Sequence, residues 1–349
     1  MKRGMFFGLL SLLAFAGKAQ EMPRNYLCYR APVTVKVDGK MSSEEWDKAP
    51  WTETFVDIEG DKRPLPKFKT RAKMLWDDDY FYVAAELEEP HIWGKLTQRD
   101  AVIFHDNDFE VFIDPQGDNH QYYEFEMNAL NTVWDLMIIK PYRDGAPAVN
   151  GWHISGLQSG VEIFGTVNNP NDVDKKWTVE IAFPWSILKE CAPGQRKPNG
   201  GEQWRVNFSR VNWDMEVKDD QYVKPINPQT GKHYPEYNWV WSPQGVIAMH
   251  QPETWGYVQF SDLLAGEGQE KFVVDTDYPL KKVLIEVYKQ QKSYFERKGK
   301  YTLQLKNIPA QWRKKISIEI TKKQFLAYGK GASGKVWYID QESKIWSEK

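Results

Sequence analysis

Cysteine is scarce in this sequence, because its 349 residues contain only Cys28 and Cys191. Two cysteines and six scattered histidines do not supply the closely spaced ligands of a structural zinc site. Their spacing does not decide between a disulfide bond and two free buried thiols. The sequence therefore argues against a zinc-centred fold and leaves the state of the two thiols open.

Charge of one sign and long apolar runs are also lacking. Basic and acidic residues number 46 and 48 and are interspersed, which argues against a nucleic-acid partner. After residue 20 no run resembles a transmembrane helix. Lys2 and Arg3 precede an apolar run over residues 5–16, which is too short to cross a bilayer as a helix. Residues 1–20 are therefore predicted to be a signal peptide, and we expect the mature chain to be secreted or periplasmic.

Aromatic residues are abundant, with 16 Trp, 17 Tyr and 17 Phe. Most of them are expected in an aromatic-rich β core. The excess is typical of surfaces that hold sugar rings, and it also occurs at protein interfaces.

Apolar residues alternate with polar ones from about residue 33 to residue 260, in short runs separated by turn-forming clusters. Residues 33–37 read as the first of these strands. The pattern predicts an all-β fold, an immunoglobulin-like antiparallel β-sandwich with long loops near 141–160, 192–202 and 214–237. Short helices are expected around Trp46 and after Trp185, where both indoles have a structural role.

A change of composition near residue 265 suggests a second unit. We predict a sandwich over residues 21–265 and a small C-terminal α+β extension over residues 270–349. In this extension, apolar residues at helical spacing predict a helix over residues 280–297, and a short meander follows. The extension is expected to dock against the sandwich.

Six carboxylates occur in two neighbouring runs, D-N-D-F-E-V-F-I-D at residues 106–114 and Y-Y-E-F-E-M-N at residues 122–128. Side chains alternate across a strand, so the acidic residues of each run share one face and the apolar residues the other. If the two strands pair as a hairpin, Glu110 lies near Glu124 or Glu126 on a polar face, and the opposite face belongs to the core.

Four uses of that polar face remain open. Two carboxylates at a fixed separation are needed by a glycoside hydrolase. Converging oxygens are needed by calcium, for which the weak candidates are Asp77, Asp79, Asp114 and Asp118. Planar polar groups beside aromatics such as Trp134 suit a sugar. The fourth use is a solvated sheet face.

Five motifs occur in an order that resembles carbohydrate-binding module family 9. The likeness covers residues 31–262, and its motifs are V-D-G-K-M-S-S-E-E-W-D-K-A, A-K-M-L-W-D-D-D-Y-F-Y-V-A-A, D-N-D-F-E-V-F-I-D-P, W-T-V-E-I-A-F-P-W and P-E-T-W-G-Y-V-Q-F. The resemblance implies a β-sandwich with structural calcium and a site that caps sugar chain ends between two tryptophans. It also implies an association with secreted glycoside hydrolases such as xylanases.

Only some of the binding residues that the family resemblance implies are present at the matching positions of this sequence. The family's acidic residue matches Glu110, and a late-strand asparagine matches Asn207. Its two stacking tryptophans fall on Phe104 and Met249, so the two-sided clamp is lost. Substitutes could come from Trp213, Trp255 or His250, and Arg210 either reaches a ligand or pairs with an acid. The predicted ligand-binding residues are Phe104, Glu110, Glu126, Asn128, Asn207, Arg210, Trp213 and His250.

The resulting functional prediction is non-catalytic carbohydrate binding in extracytoplasmic polysaccharide catabolism, with a glycan as the partner and no organic cofactor. The first alternative is a glycoside hydrolase that acts through Glu110 and a second carboxylate. The second alternative is a haem-binding sandwich domain with His105 and Met127 as axial ligands.

Overall fold

A computed structural model describes residues 22–145 and 147–348. The predicted signal peptide at residues 1–20 lies outside the described residues. Within the described ranges, no helix combines the length and the apolar character needed to cross a membrane.

Fifteen strands precede residue 265 in the described chain. They are β1 (Asn25–Arg30), β2 (Val56–Asp57), β3 (Thr70–Trp76), β4 (Tyr80–Glu88), β5 (Asp108–Asp114), β6 (Tyr122–Asn128), β7 (Val133–Ile138), β8 (Ala148–Val149), β9 (Gln158–Phe164), β10 (Lys176–Pro184), β11 (Gln203–Asn212), β12 (Glu216–Lys218), β13 (Gln221–Val223), β14 (Tyr237–Val240) and β15 (Gly256–Leu264).

The strands form a β-sandwich, as predicted. Hydrogen bonds run continuously through β8-β7-β6-β5-β11-β15-β1-β3-β4-β10-β9, while β14 pairs with both β11 and β2. Val111 and Phe208 of one layer share a core with Val83 and Ile181 of the other. Burial of these apolar side chains between the layers is the main source of stability. Strand β1 pairs in parallel with both β15 and β3, so the sandwich is not antiparallel throughout.

The beginning of the fold differs from the prediction. Residues 33–37 are irregular, and the preceding strand β1 was not predicted. The segment is anchored by a side chain, because the backbone N–H groups of Asp38 and Gly39 both donate to the Glu180 carboxylate. The predicted short helices are present as α1 (Glu44–Lys48) and α2 (Trp185–Leu188).

The two cysteines are buried free thiols. No disulfide joins Cys28 to Cys191, which resolves the question that the sequence leaves open.

The C-terminal segment contains two further helices and a four-stranded antiparallel sheet. These are α3 (Tyr278–Lys298), α4 (Ala310–Arg313), β16 (Ile316–Ile320), β17 (Phe325–Lys330), β18 (Val336–Asp340) and β19 (Ile345–Glu348). Leu284 and Val287 of α3 pack against Ala327 and Ile339 of the sheet in a separate apolar cluster. The predicted helix and meander are thus present, although β19 was not predicted. The division of the chain into domains stays a prediction.

Candidate functional site

The hairpin of β5 and β6 places two glutamates side by side. Glu110 lies opposite Glu126, and Glu126 lies opposite Trp134 of β7. On the other side, Glu110 lies opposite Ser209 of β11. Residues opposite each other on adjacent strands share a face, so Trp134, Glu126, Glu110 and Ser209 form one line across four strands. We call this line the acidic row.

The acidic row lies on the polar face that alternation predicts, but this face is not solvated. The exposed fractions are 5% for Glu110 and 2% for Glu126, and the nearby Asp108 and Glu124 are buried as well. The long loops and the segments that precede β5 cover the face. The solvated-face alternative is therefore wrong.

These carboxylates lack cationic partners. Within residues 22–145 and 147–348, no lysine or arginine forms a salt bridge with Asp108, Glu110, Glu124 or Glu126. Burial raises the pKa of Glu110 to about 7. The pKa of Glu126 also lies well above its usual range, first because of burial and then because of the nearby Glu110 charge. One oxygen of Asp108, Oδ2, is buried without a hydrogen-bond partner. Asp108, which neighbours the acidic row on β5, therefore has an acceptor atom that a donor or a cation would satisfy.

One side of the acidic row is bordered by aromatic side chains. Phe104 sits in a single 3-10 turn (Ile103–His105), and its backbone N–H donates to Glu126 Oε2 at 3.0 Å. The Trp213 indole N–H donates to the Phe104 carbonyl at 2.9 Å. Lys224 Nζ lies 3.2 Å from the centroid of the Trp213 ring. Phe104 and Trp213 both stay partly exposed, so they form an accessible aromatic border.

His250 and Tyr142 border the opposite side. The Tyr122 hydroxyl lies 2.9 Å from His250 Nδ1, and Glu124 Oε1 lies 3.7 Å from His250 Nε2. The Tyr142 ring meets the imidazole edge to face with centroids 4.3 Å apart. Burial, and then the charge of Arg143, lowers the pKa of His250 to about 4. The imidazole is therefore neutral near pH 7 and does not neutralise Glu124.

The motifs that contain this hairpin belong to a longer match. The family described as carbohydrate family 9 binding domain-like matches residues 37–221, more than half of the chain. The chain belongs to this family.

Three individual proteins show narrower likenesses to this family 9-like chain. The endo-1,4-beta-xylanase C of Paenibacillus barcinonensis is 34% identical over 91 residues, which are 26% of this chain and 8% of the xylanase. The chain thus spans only a small part of that relative's length. A proposed carbohydrate-binding protein of Bacteroides uniformis has a TM-score of 0.49 at 14% identity, over 68% of this chain and 100% of that one. A family 9 module of Caldicellulosiruptor kristjanssonii, solved with cellotriose, has a TM-score of 0.41 at 13% identity, over 72% and 98%.

In this family 9-like chain, two of the eight predicted ligand-binding residues, Glu110 and Glu126, form part of the acidic row. Three others, Phe104, Trp213 and His250, lie at its borders. Their proximity is a structural finding, while their part in binding stays a prediction. Trp255, a predicted substitute for the lost stacking residue, is instead buried against Phe112 and Tyr122 and presents no free face.

Asn128 and Asn207 do not reach the ligand surface, contrary to prediction. Both are fully buried, and their amides are used by the protein itself. The Asn128 oxygen accepts from two backbone N–H groups and its nitrogen donates to Leu96. Asn207 exchanges hydrogen bonds with the backbone of Ser242. Both asparagines hold loops in place, because buried amides are most stable when both ends are paired.

Arg210 was also assigned a ligand role, and the structure contradicts it. Arg210 lies opposite Phe109, so its side chain is on the core face of β11. It is fully buried and pairs with Glu89 at 2.6 Å, and it also donates to Thr70 Oγ1 and the Glu88 carbonyl. The sequence left two roles open for Arg210, and the structure shows the second, a pair with an acid, Glu89.

The four calcium candidates do not form a cage. Asp77 accepts from two backbone N–H groups and from Tyr82, and Asp114 accepts from two backbone N–H groups. These residues do not fit a multi-oxygen calcium site. In the described chain, the acidic or histidine side chains that group closely enough to hold a metal are Asp108, Glu110 and Glu126. Structural calcium stays a prediction.

The haem alternative fails on geometry. Met127 belongs to the core between the layers, whereas His105 is exposed in the turn beside Phe104. The two side chains lie on opposite sides of the sheet, so they cannot ligate one iron.

Several residues in and around the acidic row were not among the predicted ligand-binding residues. Strand parity placed Asp108 on the Glu110 face, and Ser209 follows from parity once the register is known. Tyr142 and Lys224 come from the long loops, where no periodic pattern indicates which side chains turn inward.

Proposed function

We propose that this chain is a non-catalytic carbohydrate-binding protein whose ligand lies over the acidic row. Family membership supports carbohydrate binding as the general function. The position of the site is supported by the row itself, with Glu110 and Glu126 as acceptors for sugar hydroxyls. In this proposal Phe104, Trp213 and Trp134 provide apolar faces for the sugar ring.

The observation that carries the proposal is the set of buried carboxylates that lack a cationic partner. A buried acceptor without a donor is costly, and sugar hydroxyls are neutral donors that satisfy carboxylates without adding charge. Aromatic rings beside the carboxylates add contact area at low entropic cost. The carboxylates of the β5–β6 hairpin and the aromatic rings that border them are therefore found together.

The cellular setting is a further part of this proposal. The N-terminal sequence pattern supports export, and the partial likeness to a xylanase fits a role beside polysaccharide-degrading enzymes. We propose that the exported chain acts in polysaccharide catabolism, together with glycoside hydrolases.

The test is a glycan-array screen of residues 21–349, followed by calorimetry with the best neutral oligosaccharide. Glu110→Gln and Phe104→Ala are expected to weaken binding by about tenfold, the size of one lost charge-assisted hydrogen bond or aromatic contact. Glu319→Gln on the exposed edge of β16 is the matched control and should bind normally. Equal affinity in all variants would move the site elsewhere.

Glycoside hydrolysis is the second candidate, because Glu110 and Glu126 are neighbours and the pKa of each is raised. The same samples are therefore assayed for release of reducing ends. Turnover that Glu110→Gln abolishes would replace binding with catalysis. Repeating the titration with calcium and with a chelator shows whether the carboxylates hold a cation instead, since binding would then require calcium.

A further inference from the structure

A second site lies where the C-terminal segment meets the sandwich. A cleft of about 1020 Å³ opens between the two, which is at the upper end of the usual size of ligand pockets. Its sandwich wall includes Gln203, Arg205 and Tyr257, and its C-terminal wall includes Tyr278, Lys281 and Trp337. We call it the basic cleft. None of these residues belongs to the acidic row.

Arg205 is a buried cation that forms no salt bridge with a carboxylate of the described residues. Its exposed fraction is 6%, and its guanidinium lies 3.9 Å from the centroid of the Tyr257 ring. Its hydrogen-bond acceptors among the described residues are the backbone carbonyls of Pro252 and Glu253. Its Nη1 is buried with no hydrogen-bond partner, and no acid in the described ranges forms a salt bridge with it.

The acids nearest to Arg205 are already engaged. Asp114 lies opposite Arg205 on β5, but its two oxygens accept from the backbone N–H groups of Gly117 and Asn119. The Glu253 carboxylate forms a two-pronged pair with Arg143. Neither acid forms a salt bridge with Arg205, so its unpartnered Nη1 donor is left to bind an acceptor from outside the chain.

A second cation faces the same cleft. Lys281 Nζ lies 2.8 Å from Asp275 Oδ2 and 3.7 Å from the centroid of the Trp337 ring. Asp275 also accepts from the Tyr257 hydroxyl at 3.2 Å. Lys281 is therefore paired with Asp275, and Asp277, which also lines this end of the cleft, accepts from Trp337 Nε1 at 2.8 Å. Arg205 differs from Lys281, because no acid in the described ranges forms a salt bridge with it.

The rest of the cleft suits an organic ligand better than a bare ion. Val273 and Val274 line it with 62% and 57% of their surface exposed, and Tyr278 is partly exposed. These apolar surfaces could cover the C–H faces of a sugar ring. A guanidinium also matches the two oxygens of a carboxylate or sulfate, with paired hydrogen bonds.

We propose that the basic cleft is a second binding site, for an anionic saccharide whose carboxylate or sulfate group is held by Arg205 and Lys281. That the ligand is a saccharide rests on the proposed function, whereas the preference for an anion rests on the charge and the unpartnered Nη1 donor of Arg205. The C-terminal segment has a role in this proposal, since the site is incomplete without Lys281.

The experiment is calorimetry on residues 21–349 with four probes: trigalacturonic acid, a sulfated chondroitin disaccharide, neutral xylotriose and inorganic sulfate. At least one charged saccharide should bind, and the first two probes distinguish a carboxylate from a sulfate. Arg205→Lys and Lys281→Met should each weaken that binding by about tenfold or more. Arg196→Gln, which removes an exposed arginine outside the cleft, should leave it unchanged. Lys281→Met decides the result if Arg205→Lys does not fold.

Three results would overturn the proposal. They are charged saccharides that bind no more tightly than xylotriose, binding that both cleft variants leave intact, and a response to sulfate alone, which would mean a simple anion site. Glu110→Gln separates this proposal from the first one. Loss of neutral-sugar binding only in Glu110→Gln supports the acidic row, and loss of charged-sugar binding only in the cleft variants supports the basic cleft.

Discussion

Glu110 and Glu126 lie directly opposite each other on β5 and β6, and both are almost completely buried. Two adjacent carboxylates in such a position cannot both be ionised without a large electrostatic cost. The fold therefore retains a costly feature on the face that points away from the core. Stability does not explain its presence, and the proposed saccharide would supply hydrogen-bond donors to these carboxylates.

The pH dependence of stability should reveal this cost. In the unfolded chain Glu110 ionises near its ordinary pKa of 4.5, and in the folded chain near 7. Between these values the folded state binds more protons, so the free energy of unfolding falls as pH rises. Gln does not titrate. From pH 5 to pH 8, Glu110→Gln should therefore gain stability relative to wild type, on the order of 1–3 kcal/mol.

Urea denaturation of both proteins at the two pH values measures this difference. His250 titrates in the opposite direction, because its pKa is lowered, but it is present in both proteins and cancels. Glu319→Gln controls for removal of an exposed carboxylate. An identical pH dependence in wild type and Glu110→Gln would show that Glu110 is not perturbed.

Strand parity made this part of the site predictable. Alternation in residues 106–114 and 122–128 places Glu110 and Glu126 on one face and Phe109 and Phe125 on the other, and the structure has this arrangement. Parity says nothing about what covers a face. The burial of the row depends on loops that pack over it, which a periodic pattern does not describe.

Arg210 should prove structural when it is removed. Arg210→Met leaves Glu89 buried without its partner, so we expect a loss of about 3–5 kcal/mol in the free energy of unfolding. Urea denaturation measures this loss. The double variant Arg210→Met/Glu89→Gln should recover part of it, because no unpaired charge remains. A ligand role would instead give weakened saccharide binding with nearly normal stability.

The two thiols should be unreactive in the folded protein. Cys28 and Cys191 are buried, and burial raises the pKa of both thiols. Ellman's reagent should detect no thiol in the native protein and two in urea, and dithiothreitol should leave the melting temperature unchanged. Fewer than two thiols in urea, together with a melting temperature that reductant lowers, would indicate a disulfide.

The surroundings of Arg205 in the basic cleft could not be predicted from the sequence. Arg205 has the same parity as Asn207 on β11, yet one ends in a cleft and the other holds a loop. The difference arises from Lys281 and Trp337, more than seventy residues away, whose approach depends on how the C-terminal segment packs. Local pattern predicts which face a side chain occupies, but the neighbours on that face come from tertiary contacts.

The packing of the C-terminal segment should depend strongly on Asp144. Its Oδ1 accepts from the Tyr288 hydroxyl and from Lys292 Nζ, both in α3, and its Oδ2 accepts from Ser343 Oγ. Burial acts to raise the pKa of Asp144, but the hydrogen bonds from Lys292, Tyr288 and Ser343 hold it below its usual value. Asp144 is therefore ionised, and it links the sandwich both to α3 and to the turn between β18 and β19 that contains Ser343.

We expect Asp144→Ala to loosen this segment while the sandwich stays folded. Loss of one partner from a buried charged network costs about 3 kcal/mol. We expect this loss to lower the free energy of local unfolding of α3. Hydrogen exchange would then show faster exchange in residues 278–298 and unchanged exchange in β5 and β11. Tyr288→Phe removes a single hydrogen bond and should give a smaller effect, about 1 kcal/mol. Unchanged protection of α3 in Asp144→Ala would mean that apolar packing alone holds the segment.

The same variant should also affect the basic cleft. If α3 loosens in Asp144→Ala, calorimetry should show weaker binding of the charged saccharide, because Lys281 would no longer be held opposite Arg205.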